Sequence, residues 1–231
     1  HSSDRRWPAC SCRRDSHCTS AVARAQTVIR LMFDAALRPY VDRVTDPVGR
    51  WCVARGISAS MVTVIGFAFG LAAVLAIAMG MMLVAFVLIL LNRFCDGLDG
   101  AVARASAPTD FGGFLDIVFD FIFYAMVPFG FALCDHANAL AACFLIVSFF
   151  GTAVSFLAFA VMAERRGISS RERGVKSFYY LGGLTEGGET IILLLAMTVM
   201  PQWFVYFAFG FGTLCWITAA SRILEARKLL G

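Results

Sequence analysis

Charge is scarce in this 231-residue chain. Only 16% of its residues are Asp, Glu, Lys or Arg, against roughly 25% in a soluble domain. Histidine is scarcer: His1, His17 and His136 are the whole set, and all lie outside the long apolar runs. That speaks against an ion relay buried at a bilayer midplane. The eight cysteines form no disulfide framework. Cys10, Cys12 and Cys18 cluster with His17, at a spacing that fits no standard zinc finger. Cys52, Cys95, Cys134, Cys143 and Cys215 are scattered through apolar segments, where a free thiol behaves as a small hydrophobe. No apolar run stands in residues 1–25, so no signal peptide is expected there, and the stretch reads as a disordered or doubtful leader.

Apolar residues are plentiful instead. They make up 59% of the chain, and the mean hydropathy is +0.75. A soluble fold has no room to hide that much apolar surface. A water-soluble enzyme, a disordered chain and a disulfide-knit secreted domain are therefore excluded. What remains is an all-α membrane protein. At ~20 residues per crossing, the runs at about 59–79, 82–103, 112–134, 139–162, 186–200 and 202–221 predict six spans. Residues 58–225 form the expected six-helix domain, and 226–231 a cytoplasmic tail.

The basic residues fix an orientation. Residues 1–57 carry ten arginines. The loop Glu164–Lys176 carries Arg165, Arg166, Arg171, Arg173 and Lys176, and the C-terminal end has Arg222, Arg227 and Lys228. The alternate loops, around Gly80, Asp135–Asn138 and Pro201–Gln202, have none. The positive-inside rule makes the basic side cytoplasmic, with both termini there.

Residues 26–57 read as amphipathic cytoplasmic helices lying at the membrane interface, or packed on the protein's own cytoplasmic face, or both. Ile29, Phe33, Leu37, Tyr40, Val41, Val44 and Val48 recur at helical spacing, with Arg30, Asp34, Arg38, Asp42 and Arg43 between them. Pro39 and Pro47 are expected to bend or break the run.

The chemistry lies in Asn92–Asp120, NRFCDGLDGAVARASAPTDFGGFLDIVFD. Asp96 and Asp99 are three apart, and Asp116 and Asp120 four apart. On helices, each spacing puts two carboxylates on one face. The first pair closes the second span and the second pair opens the third, so four acids converge at the inner end. Such groups are costly in a membrane segment and point to function. A salt-bridged helix end does not account for them, since Arg93 and Arg104 cannot neutralise four acids. Hard oxygen ligands suit Mg²⁺ or Mn²⁺, and two such ions could clamp a pyrophosphate. Arg104, one turn beyond Asp99, can fork onto a phosphate.

The pattern Asp96-x2-Asp99-Gly100-x2-Ala103-Arg104, then Gly112-x3-Asp116-x3-Asp120, resembles the signature of the CDP-alcohol phosphotransferases (CDP-alcohol phosphatidyltransferases). All eight fixed positions of that signature are present. The spacer Ala105–Phe111 has seven residues where the family usually has eight. Ser58–Thr63 resembles the family's opening of span one, with Ser60 where Asn is common. The run Lys176–Thr190, KSFYYLGGLTEGGET, resembles an uncharacterised bacterial inner-membrane branch.

The resemblance implies metal binding by Asp96, Asp99 and Asp116. Asp120 would share the second metal or act as base. Gly100 and Ala103 would lie against the cytidine and Arg104 on phosphate, with Thr63 and Gly112 completing the CDP site. It implies transfer of a phospho-alcohol group, with CDP-diacylglycerol the expected donor, to a hydroxyl acceptor with release of CMP. Two Mg²⁺ or Mn²⁺ ions, membrane lipids and a second copy of the chain in a homodimer are the expected partners; nucleic acid is not. Lys176, Glu186 and Glu189, beside a Gly-rich run, are candidate acceptor residues or an ordinary helix opening with acids at its positive end. A six-span cation transporter and a non-catalytic scaffold are the competing readings.

Overall fold

The computed structural model of the chain describes residues 33–165, 185 and 187–230, and divides into two units, His1–Pro39 and Tyr40–Gly231. In the first unit the described residues are the helical ones from Phe33. The described residues build seven α-helices and no strand. These are α1 (Phe33–Ala54), α2 (Ala59–Ala78), α3 (Met82–Ala105), α4 (Asp110–Cys134), α5 (Ala139–Arg165), α6 (Gly187–Val199) and α7 (Phe204–Leu230). Short 3₁₀ turns at His136–Asn138 and Pro201–Trp203 lead into α5 and α7. The leader 1–25, with Cys10, Cys12, His17 and Cys18, lies outside the described residues, as does the loop from 166 through Lys176.

Local chemistry sets the helix starts. The Ser58 hydroxyl accepts from the Met61 amide at 3.3 Å and caps α2. The Thr109 hydroxyl does the same for Gly112 at 3.1 Å and caps α4. Each cap satisfies an amide that the first helical turn leaves without a partner. Gly80, at φ +74°, takes the left-handed conformation that ends the first long apolar run. The connection between α3 and α4 is only Ser106–Thr109, so the chain turns straight back and Arg93 of α3 can reach Asp120 of α4.

In the second unit α2 packs on α3 and α4, α4 on α5, α5 on α7, and α6 on α3. The shared core holds Ile77, Ile89, Phe123, Phe131, Leu145, Leu194 and Phe204, all fully buried. Phe131 stacks on Phe204 at 4.5 Å. Leu75, Leu83, Leu140 and Tyr206 face outward and are well exposed. A soluble protein avoids that arrangement, and a lipid-facing one needs it.

Six spans are expected from the sequence, and six helices stand at those places. Four helical segments are long and apolar enough to cross a membrane: Ala59–Ala78, Asp110–Cys134, His136–Arg165 and Pro201–Lys228. The other two differ for physical reasons. Helix α3 has the length but carries Arg93, Asp96, Asp99 and Arg104 from its middle onward. Helix α6 is apolar but has 13 residues, about 20 Å at 1.5 Å per residue, against a hydrocarbon core of ~30 Å. Helix α7 continues through the residues expected as a tail, as far as Leu230.

Helix α1 runs unbroken past both prolines that are expected to bend or break it. A helical proline removes a single amide donor, and the turns around it carry the helix on. From Tyr40 on, α1 docks on α3. Thr45 and Cys52 are buried, and a Cβ on Gly49 would stand 3.0 Å from the Ala101 Cβ. Its Val44 and Trp51 remain exposed.

Candidate active site

The second half of α3 and the first half of α4 form the walls of one cleft, and α2 closes its back. Thr63, Gly66, Phe67, Asn92, Arg93, Asp96, Asp99, Asp116, Phe119 and Asp120 line it. The sequence-predicted convergence of four acids is therefore present. Oxygens of Asp96, Asp116 and Asp120 lie within 4.8 Å of one another. Asp99 lines the same cleft but is tied elsewhere: the Thr63 hydroxyl is 2.6 Å from its Oδ2, and 3.0 Å from the Ala59 carbonyl.

Close helix packing makes the cleft. A Cβ on Gly66 would meet the Cys95 Cβ at 2.8 Å, and one on Gly70 would meet the Phe123 ring at 2.8 Å. Both glycines let α2 approach its neighbours, which is the packing role expected of a small-xxx-small pair. The close approach lets the Asn92 Nδ2 donate to the Gly66 carbonyl at 2.8 Å across the interface.

Arg93 is the guanidinium inside the cleft. Its Nε donates to Asn92 Oδ1 at 2.8 Å, its Nη2 to Asp120 Oδ1 at 2.8 Å, and its Nη1 to the Tyr124 hydroxyl at 3.3 Å. Nη1 also lies 3.6 Å from Asp96 Oδ1. Tyr124 in turn reaches Asp120 Oδ2 at 3.4 Å. Asn92 and Tyr124 are site residues that sequence reasoning passes over, and Arg93 is weighed there only as a partial counter-charge. The available signal is two adjacent polar residues, Asn92 and Arg93, closing an otherwise apolar run.

Other predicted site residues are placed differently. Arg104 does not line the cleft; its Nη2 donates to Asp42 Oδ1 at 2.8 Å and to Asp46 Oδ1 at 3.0 Å, both on α1. Gly100 lies beneath Arg104, whose Nη1 is 3.5 Å from a Cβ built there. Ala103 is half-buried on the same helix. Gly112 sits at the α4 cap, 3.5 Å from the Ser60 hydroxyl by the same construction. None of these four lines the cleft. Glu189 stands in the first turn of α6, outside the cleft lining. Lys176 and Glu186 lie outside the described residues.

Carboxylates packed this closely repel, and one guanidinium leaves three of the four negative charges uncompensated. Their oxygens are the hard donors that Mg²⁺ and Mn²⁺ prefer. The donor set thus fits a divalent cation.

The CDP-alcohol phosphatidyltransferase family profile matches residues 57–223. The chain belongs to this family of membrane transferases of phospholipid biosynthesis. It is 49% identical over 193 residues to the inner membrane protein YnjF of Escherichia coli, covering 83% of this chain and 94% of that one. It is 28% identical over 197 residues to the archaetidylinositol phosphate synthase of Pyrococcus horikoshii, covering 84% and 96%. The fold is shared with the phosphatidylinositol phosphate synthase PgsA1 of Mycobacterium tuberculosis, solved with CDP-DAG bound. There the TM-score is 0.58 at 22% identity, over 78% of this chain and 92% of that one.

Proposed function

We propose that the protein moves a phosphatidyl-type group from a CDP-alcohol, CDP-diacylglycerol first among them, to a hydroxyl acceptor and releases CMP. The observation that carries this reading is the meeting of Asp96, Asp116 and Asp120 within 4.8 Å, with Asp99 in the same cleft, in a chain of this family. In the reaction, the acceptor oxygen bonds to the lipid-linked phosphorus. The phosphoanhydride bond breaks, and CMP leaves. Asp96, Asp99, Asp116 and Asp120 would hold divalent cations, which when bound would supply charge neutralisation for the pyrophosphate.

The chain's own groups do the rest. Asp120 accepts the proton of the attacking hydroxyl. Arg93 and Tyr124 fix the direction of its carboxylate. Thr63 holds Asp99. Arg104 turns toward a donor phosphate at the cleft mouth, with Gly100, Ala103 and Gly112 leaving room for the nucleotide. Lys176, Glu186 and Glu189 are proposed for the acceptor side.

Six crossings are proposed, with α3 and α6 completing the four long spans, and with both termini and the cleft cytoplasmic. The basic residues at both ends support that orientation. The likeness to the inner membrane protein YnjF supports the inner membrane as the location. The exposed Val44 and Trp51 of α1 support its contact with the inner leaflet.

The relatives named as synthases of archaetidylinositol phosphate and phosphatidylinositol phosphate put inositol phosphate first among acceptors to try. The test is to incubate purified protein with CDP-diacylglycerol and separate acceptors, and to weigh the lipid product by mass spectrometry. The panel is inositol phosphate, inositol, glycerol 3-phosphate, serine, phosphatidylglycerol and choline. A new phosphodiester with one of them supports the reading. No product from any, with the protein folded and Mg²⁺ present, favours a transporter or scaffold.

A further inference from the structure

We propose that Arg93 is a built-in counter-cation that sets the divalent-ion affinity of the Asp96, Asp116 and Asp120 group. The inference rests on the reading that these acids hold a divalent cation. Arg93 reaches two of the three: Nη2 is 2.8 Å from Asp120 Oδ1, and Nη1 is 3.6 Å from Asp96 Oδ1. Its side chain is 11% exposed. The acids alone do not place it. Its Nε is fixed by Asn92 at 2.8 Å, Asn92 is fixed by the Gly66 carbonyl at 2.8 Å, and both residues lie in the α2–α3 interface. The guanidinium carbon lies 5.1 Å from the Phe123 ring centre and 5.6 Å from that of Tyr124. An arginine in such a seat stays charged at every accessible pH.

The consequence is electrostatic. A divalent ion on the three acids stands within a few ångströms of a fixed positive charge that already occupies one Asp120 oxygen. That charge lowers the ion's affinity. It also keeps the four acids from repelling one another apart when little cation is bound. A purely structural arginine gives the opposite sign on removal, because losing it loosens the acids and weakens the ion.

The experiment measures Mn²⁺ binding by electron paramagnetic resonance on purified, donor-free protein in detergent. The proteins are the native form, Arg93→Gln, Arg93→Lys and Asp116→Asn. Native protein should bind Mn²⁺, and Asp116→Asn should lose it. Arg93→Gln should bind at least about tenfold more tightly, since even the full screening of water leaves a unit charge about 6 Å from a divalent ion worth about tenfold in affinity. Arg93→Lys keeps the charge and should leave Mn²⁺ affinity within about threefold of the native value, since only the fork to Asn92 and Asp120 is lost. If Arg93→Gln does not fold, Arg93→Met, also uncharged, carries the test. Unchanged or weaker Mn²⁺ binding in the folded uncharged variant overturns the counter-cation role and leaves the metal reading standing. Native protein that binds no Mn²⁺ overturns both.

Discussion

Gly66→Ala should damage the protein through one atom. A Cβ at position 66 would stand 2.8 Å from the Cys95 Cβ. Carbon atoms in contact prefer about 3.5–4.0 Å, so α2 must retreat from α3 by about 0.7 Å or more. Neither atom can rotate away, since both are Cβ atoms fixed by their backbones. Overpacking of this kind costs about 1–3 kcal/mol. For a chain of this size, that is about 2–4 °C per kcal/mol in midpoint temperature. The same retreat stretches the 2.8 Å bond from Asn92 to the Gly66 carbonyl, which seats Arg93. Activity should therefore fall with stability. The assay is thermal unfolding in detergent of Gly66→Ala, Cys95→Gly and the double variant. Cys95→Gly alone should destabilise by about 1 kcal/mol or more, from glycine in a helix and a lost buried side chain. The double variant should nonetheless be more stable than the sum of the two, with a coupling of about 1 kcal/mol or more. Strict additivity, or a Gly66→Ala protein as stable as the native one, would refute the packing argument.

Three further outcomes are expected. Asp120→Asn should keep CDP-diacylglycerol affinity within about tenfold while turnover falls at least ~100-fold, because positioned proton transfer is worth roughly 10²–10⁴; equal loss of donor binding in Asp120→Asn and Asp96→Asn would make Asp120 chiefly a metal ligand. The double change Asp42→Asn with Asp46→Asn frees Arg104 from α1 and should lower the donor KM about threefold with little change in kcat, because the guanidinium no longer leaves ion pairs to reach a phosphate, the modest size reflecting exposed ion pairs; an unchanged or raised KM in steady-state assays would show that Arg104 does not turn to the donor. A cysteine at position 165 should resist membrane-impermeant maleimide in intact cells, and labelling there would invert the proposed topology.

Much of the helix plan is legible in the sequence, because a run of apolar residues long enough to span a bilayer leaves few alternatives. The bounds of α2 through α6 lie within a few residues of the expected ones. Two features escape that logic. Helix α6 stands where the fifth span is expected, but its 13 residues are fewer than a bilayer crossing usually takes. Helix α1 continues through Pro39 and Pro47, where a local rule expects a bend or a break.

The acid cluster is legible because i, i+3 and i, i+4 spacings survive any packing of the helices. What surrounds it is not. The hold of Thr63 on Asp99 spans 36 residues, and that of Arg93 on Asp120 spans 27. Such partners follow from how α2, α3 and α4 cross, which no local pattern encodes. Arg104 makes the same point in reverse. Its place one turn past Asp99 suits a phosphate, yet its side chain is held by two acids from α1, 62 and 58 residues away.

The most direct test of the central claim is release of CMP from CDP-diacylglycerol, followed with the acceptor that yields product. The expected result is Mg²⁺- or Mn²⁺-dependent release by the native protein. It should be abolished by EDTA and restored by excess cation. Asp96→Asn and Asp116→Asn should release at least ~100-fold less while remaining folded. CMP release that continues in EDTA, or survives in both folded variants, would contradict the account, because the carboxylate cleft would then not be where the chemistry happens.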